Sequence, residues 1–213
     1  MRRSIFFCVW AVLLTVCSTA HATTFTFNTD PFAGSTALTT PGRQVVGGEE
    51  FISFVIGSDV FSLGSTSFGV SSINFVNAVA SNIPMVGVNT IVLQTFDNDG
   101  NTATPFAAGN AADLIAAQIA TPGPGFFIYF NQGLDLPGLV FSTDLNDPTA
   151  DLKVLFRITN LTGQAGRDAM PTFSAANFQI TNTVPEPSSF VTMALGLMGL
   201  CCIGGTVAAT RRS

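Results

Sequence analysis

Turn-forming residues divide the middle of this chain into short apolar runs. Pro41-Gly42, Gly47-Gly48, Asp99-Gly100 and Pro122-Gly123-Pro124-Gly125 separate segments rich in Phe, Val, Ile and Thr. Gly accepts positive φ and Pro fixes φ near its turn value, so such pairs stop a helix or strand and reverse the chain. The segments run from Thr24 to Asn28, Glu50 to Ile56, Ser67 to Val79, Val86 to Phe96, Gly125 to Phe130, Leu152 to Ile158 and Ala176 to Thr181. Thr24-Phe25-Thr26-Phe27 alternates with the period of two expected of a half-buried strand. Short strands at this spacing predict a mainly β fold, a single antiparallel β-sandwich or jelly-roll-like domain. One short helix is predicted near Asn110 to Ile119, with Asn110 as N-cap, Asp113 favourable to the helix dipole, and an apolar face of Leu114, Ile115 and Ile119.

The two ends have a different character. Arg2 and Arg3 precede an apolar run from Ile5 to Val16, and Ala20-His21-Ala22 places small residues at positions −3 and −1 before Thr23. That order is a secretory signal peptide with Ala20 and Ala22 as the signal peptidase determinants. At the other end Phe190 to Thr210 contains no charged residue and is followed by Arg211-Arg212-Ser213. About 20 apolar residues suffice to cross a bilayer core as a helix. Paired arginines belong on the cytoplasmic side, so Arg211 and Arg212 read as the membrane stop. Four glycines, at 196, 199, 204 and 205, suit a membrane helix better than a buried helix of a soluble domain. The chain therefore divides into residues 1–22, a signal peptide; 23–183, an extracytoplasmic domain; and 184–213, a tail whose span covers about 190–210.

The tail resembles the PEP-CTERM sorting signal. The likeness rests on Val184-Pro185-Glu186-Pro187-Ser188-Ser189, the uncharged span and the terminal arginines. It covers about the last 30 residues. Pro185 and Pro187 favour extended backbone and hold Glu186 between them outside the membrane, as an enzyme-read segment requires. The resemblance implies an exosortase as partner, an outer-membraned bacterium that makes exopolysaccharide, and transient anchorage in the inner membrane before the cell surface or medium. The same kind of tail is also called the ice-binding protein C-terminal domain, a label that does not by itself imply ice binding. Leu139 to Leu152 and Asn160 to Gly166 are similar to segments of other exosortase-sorted surface proteins, a likeness that implies no activity.

Between the ends, twelve acidic residues face four basic ones. Such a surface repels phosphates, which argues against a nucleic-acid partner. Cys8, Cys17, Cys201, Cys202 and His21 all lie outside residues 23–183. The exported domain therefore has no thiol nucleophile, no His base, no disulfide and no Cys or His zinc ligand. No catalytic residue is assigned, and the chain is expected not to be an enzyme.

Two acidic clusters can still hold a cation. Asp97-Asn98-Asp99-Gly100-Asn101 offers oxygen ligands at alternate positions, which gives Asp97 and Asp99 as candidate calcium ligands. No Glu follows where an EF-hand needs one, and Asp-Gly is also an ordinary hairpin turn. Asp144, Asn146, Asp147 and Asp151 form a second patch, with Asp147-Pro148 reading first as a turn or helix start. No cofactor is expected, with calcium at Asp97 and Asp99 as the alternative to an ordinary turn. Glu49 and Glu50, adjacent in a strand, point to opposite faces and form no catalytic pair by themselves. Phe126, Phe127, Tyr129 and Phe130 can stack on sugar rings or fill the core, and the scarcity of Tyr and Trp favours the core. Asn160-Leu161-Thr162 matches a glycosylation acceptor, a weak signal in a bacterium.

The expectation is thus an exported, exosortase-sorted, non-catalytic protein of the cell surface or biofilm matrix. The alternatives are a calcium-dependent carbohydrate-binding module and a secreted hydrolase using paired carboxylates.

Overall fold

The structure is a computed structural model that describes residues 21–101 and 103–182. The expected leader determinant Ala20, the expected sorting residues Val184, Pro185, Glu186, Pro187 and Ser188, the expected span and the expected stop residues Arg211 and Arg212 lie outside the described residues. Among the described residues no helix is long and apolar enough to cross a membrane.

Among the described residues ten strands form two sheets. The smaller has β4 (Val60–Gly64) at its centre, flanked by β1 (Thr24–Phe27) and β10 (Phe178–Thr181), both parallel to it. The larger contains β2 (Val45–Val46), β3 (Glu50–Ile52), β5 (Phe75–Ala78), β6 (Thr90–Leu93), β7 (Gly125–Asn131), β8 (Leu136–Ser142) and β9 (Leu152–Ile158). Its order is β2-β9-β8-β7-β6-β5, with β3 pairing β9 alongside β2. β7, β8 and β9 form an antiparallel meander, and every other pairing is parallel.

The mainly β expectation holds, but the antiparallel one is corrected: six of the eight strand pairings are parallel. The physical reason lies in the connections. Parallel neighbours need a crossover rather than a hairpin. The chain between β6 and β7 carries helix α2 (Ala108–Ala116), so those strands run the same way. Among the described residues the expected single helix of the domain becomes three, α2 being joined by α1 (Ser65–Phe68) and α3 (Gly163–Ala169). α2 begins earlier than its sequence suggests. Asn110 is not the N-cap but lies in the first turn, where its Oδ1 accepts the Ala107 N–H at 3.0 Å.

Alternation along β7 divides the core. Phe126 and Ile128 face the small sheet, where they join Phe61, Leu63, Leu139, Phe141, Phe156 and Ile158. Phe54 stacks on Phe61 with ring centroids 4.3 Å apart, and Phe68 meets Phe141 at 4.8 Å and Phe126 at 5.0 Å. Phe127 and Tyr129 face the other way, with Ile91, Leu93, Val140 and Val154, against Ala108, Ala111, Ala112 and Ile115 of α2. Small alanines let the helix approach the sheet closely. The register between β8 and β9 shifts at Leu139/Val140, and this bulge puts Leu155 and Phe156 in the same core cluster before alternation resumes.

Candidate functional site

The sequence singles out Asp97 and Asp99, and the structure brings both into one exposed turn between β6 and α2. Asp97 Oδ1 accepts the N–H groups of Asp99 at 3.0 Å and Gly100 at 2.9 Å. These backbone donors hold the Asp97 carboxyl below its ordinary value. Asp99 Oδ1 accepts the Asn101 N–H at 2.8 Å, and its Oδ2 accepts the Thr104 hydroxyl at 2.8 Å. Gly100, at φ 69°, supplies the left-handed residue that the turn needs. Each carboxylate is therefore engaged by its own loop. Among the described residues no group of three or more His, Cys, Asp or Glu side chains converges as a metal site. The segment is a self-capped turn, though not a hairpin, because a helix follows it.

The second acidic patch separates into individual clamps. Asp144 Oδ1 accepts the Gly123 N–H at 3.0 Å and the Asn146 N–H at 2.9 Å, tying the Pro-Gly loop to the end of β8. Asp147 caps its own turn by accepting the Thr149 N–H at 2.7 Å and hydroxyl at 2.8 Å. Those two donors, with Arg43 further off, lower its pKa. Asp151 is buried and turns to a different loop, accepting the N–H groups of Leu38 at 2.6 Å and Gln44 at 2.7 Å. Asn160, the first residue of the glycosylation-like triplet, accepts the Phe54 N–H at 2.8 Å and donates to the Phe54 carbonyl at 3.0 Å. Its amide is committed to holding the chain beyond β3.

Glu49 and Glu50 do part company. Glu50 is exposed, while Glu49 pairs with Arg157 Nε at 3.0 Å. Arg157 Nη1 also donates to the Tyr129 hydroxyl oxygen at 2.9 Å, which accepts a second hydrogen bond from Asn131 Nδ2 at 2.9 Å. Burial opposes ionisation of Glu49, but hydrogen bonds to backbone N–H groups and the Arg157 guanidinium prevail and hold its carboxyl below the ordinary value. Gly138 makes room for this group, since a Cβ there would stand 2.7 Å from Arg157 Nη1. Sequence reasoning missed this network. The signal was present: Lys153 and Arg157 are the two cations in the otherwise apolar run Leu152 to Ile158, and Tyr129 is the chain's single tyrosine.

The aromatic run of β7 is core: Phe126, Phe127, Tyr129 and Phe130 have no exposed surface. An open cleft lies between Asn74, Val88, Asn89, Pro122, Pro124 and Leu145. The Asn89 amide that borders it accepts the Asn74 N–H and donates to the Ser72 carbonyl, each at 2.8 Å.

No protein-family model matches the chain, and neither a curated protein nor a solved structure matches it.

Proposed function

We propose that this chain is an exported, non-catalytic protein of the cell surface or extracellular matrix. In this reading residues 1–22 direct it across the inner membrane, and signal peptidase releases Thr23. An exosortase recognises Val184-Pro185-Glu186-Pro187-Ser188 while the span and Arg211-Arg212 hold the tail in the inner membrane. The domain then resides in an exopolysaccharide layer. The observation that carries the proposal is the combination in one short tail of the Pro-Glu-Pro motif, an uncharged span and terminal arginines.

The character of the domain supports a scaffold rather than a catalyst. Asp59, Asp144, Asp147, Asp151 and Glu49 are all engaged in hydrogen bonds that hold loops or buried cations. Both sheets are assembled from residues 24–181, so removal of the tail takes no strand from them. The test is replacement of Pro185, Glu186 and Pro187 by alanine in the native host. Surface delivery should be lost, with the protein accumulating in the inner-membrane fraction. Undiminished delivery of the triple variant would remove the exosortase from the account.

A further inference from the structure

Asp59 directly precedes β4 and has only 3 % of its surface exposed. Among the described residues the ion pairs are Arg43–Asp113, Arg157–Glu49 and Arg167–Asp135, and none includes Asp59. A buried carboxylate without a cation is costly unless donors surround it. Here Oδ2 accepts the Val55 N–H at 2.8 Å, and Oδ1 accepts the Ser58 hydroxyl at 3.3 Å. The remaining donor is the backbone nitrogen of Thr23, 2.8 Å from Oδ1. Thr23 is the residue that follows Ala20-His21-Ala22. Both Ala22 and Thr23 are exposed at the entrance to β1, and the Thr23 carbonyl is fixed by the Val60 N–H at 3.0 Å.

We propose that Asp59 is the receptor for the new amino terminus, and that removal of the leader turns the Thr23–Asp59 hydrogen bond into a part-buried ion pair that locks the mature domain. The proposal rests on the export reading. In the processing step water adds across the Ala22–Thr23 amide and the C–N bond breaks. Ala22 leaves as the carboxylate, and the released Thr23 amine takes up the proton to become an ammonium. The nitrogen stays where the amide nitrogen was, so the ammonium forms at hydrogen-bonding distance from a carboxylate already in place. A charge-assisted bond replaces a neutral-donor one at the same geometry. The precursor thus folds with Asp59 paired only to N–H and O–H dipoles, and processing supplies its counter-ion.

Amine chemistry offers a clean test, because Lys153 is the chain's single lysine and the mature protein has only one other primary amine. Mature full-domain protein is recovered from the host envelope, its first residue is read by mass, and a mild acylating reagent is applied. Pairing holds the Thr23 amine in its protonated, unreactive form. Acylation of Thr23 should therefore be about tenfold slower in the native protein than in the same protein in concentrated urea, and about tenfold slower than in Asp59→Asn. The urea comparison decides the matter even if Asp59→Asn does not fold. A first residue of Thr23 with equal rates in all samples overturns the ion pair and leaves export intact. A different first residue overturns the pair together with the assigned cleavage site.

Discussion

A guanidinium whose side chain is only 7 % exposed must find its hydrogen bonds within the protein, and Arg157 finds them in Glu49 and Tyr129. Removing one partner leaves a buried charge, so Glu49→Ala should cost about 3 kcal/mol in chemical denaturation. The pair also gives stability a pH dependence of known sign. Glu49's carboxyl lies below its ordinary value of 4.5 in the folded protein. Its contribution is therefore complete above that value and is lost as the pH falls through the lower, folded one. Urea unfolding followed into acid should show a shallower decline in Glu49→Gln than in the wild type, and identical declines would contradict the assignment. Asp97 and Asp99 pose a different question at the same scale. Their oxygens already accept hydrogen bonds from their own loop, so calcium at millimolar concentration should leave the melting temperature unchanged. A rise that Asp97→Ala abolishes would restore the cation site.

Among the elements, the phenylalanines between the two sheets carry the packing. Phe61 of β4 is fully buried and stacks on Phe54, whereas Phe51 of β3 is 64 % exposed at the sheet edge. Phe61→Ala should lose about 3–5 kcal/mol, and Phe51→Ala should stay within about 0.5 kcal/mol, both read by denaturant unfolding. Comparable losses would mean that the small sheet does not close the core. The elements differ in how far their sequences declare them. The runs Gly125 to Phe130 and Leu152 to Ile158 match β7 and β9 closely, because a strand buried on both faces is a continuous apolar stretch. β8 hides because it contains Pro137 and Gly138, which normally argue against a central strand. A Cβ at Gly138 would crowd Arg157, its cross-strand partner on β9, a demand that the local sequence does not display. Ser67 to Val79 looks like one strand but holds the end of α1, a break at Gly69 with φ 66°, and then β5. Parallel pairing was least legible, since strand direction is set by partners and crossovers rather than by local pattern.

At the scale of the whole molecule, the export and sorting proposal rests on contiguous residues at the chain's ends, while several polar groups of the middle domain acquire meaning through distant partners. Asp59 meets Thr23 across 36 residues, and Asp151 meets Leu38 and Gln44, and Glu49 meets Arg157, each across more than 100. No local spacing announces these long-range contacts, whereas Asp97 and Asp147 are engaged within their own turns. The most direct test of export with double processing is the intact mass of the protein recovered from the host's envelope and medium. The expected result is a chain that begins at Thr23 and ends near Pro185-Glu186-Pro187. A mass that retains the tail to Ser213 would contradict it, and would make the molecule a single-span membrane protein whose domain faces the periplasm.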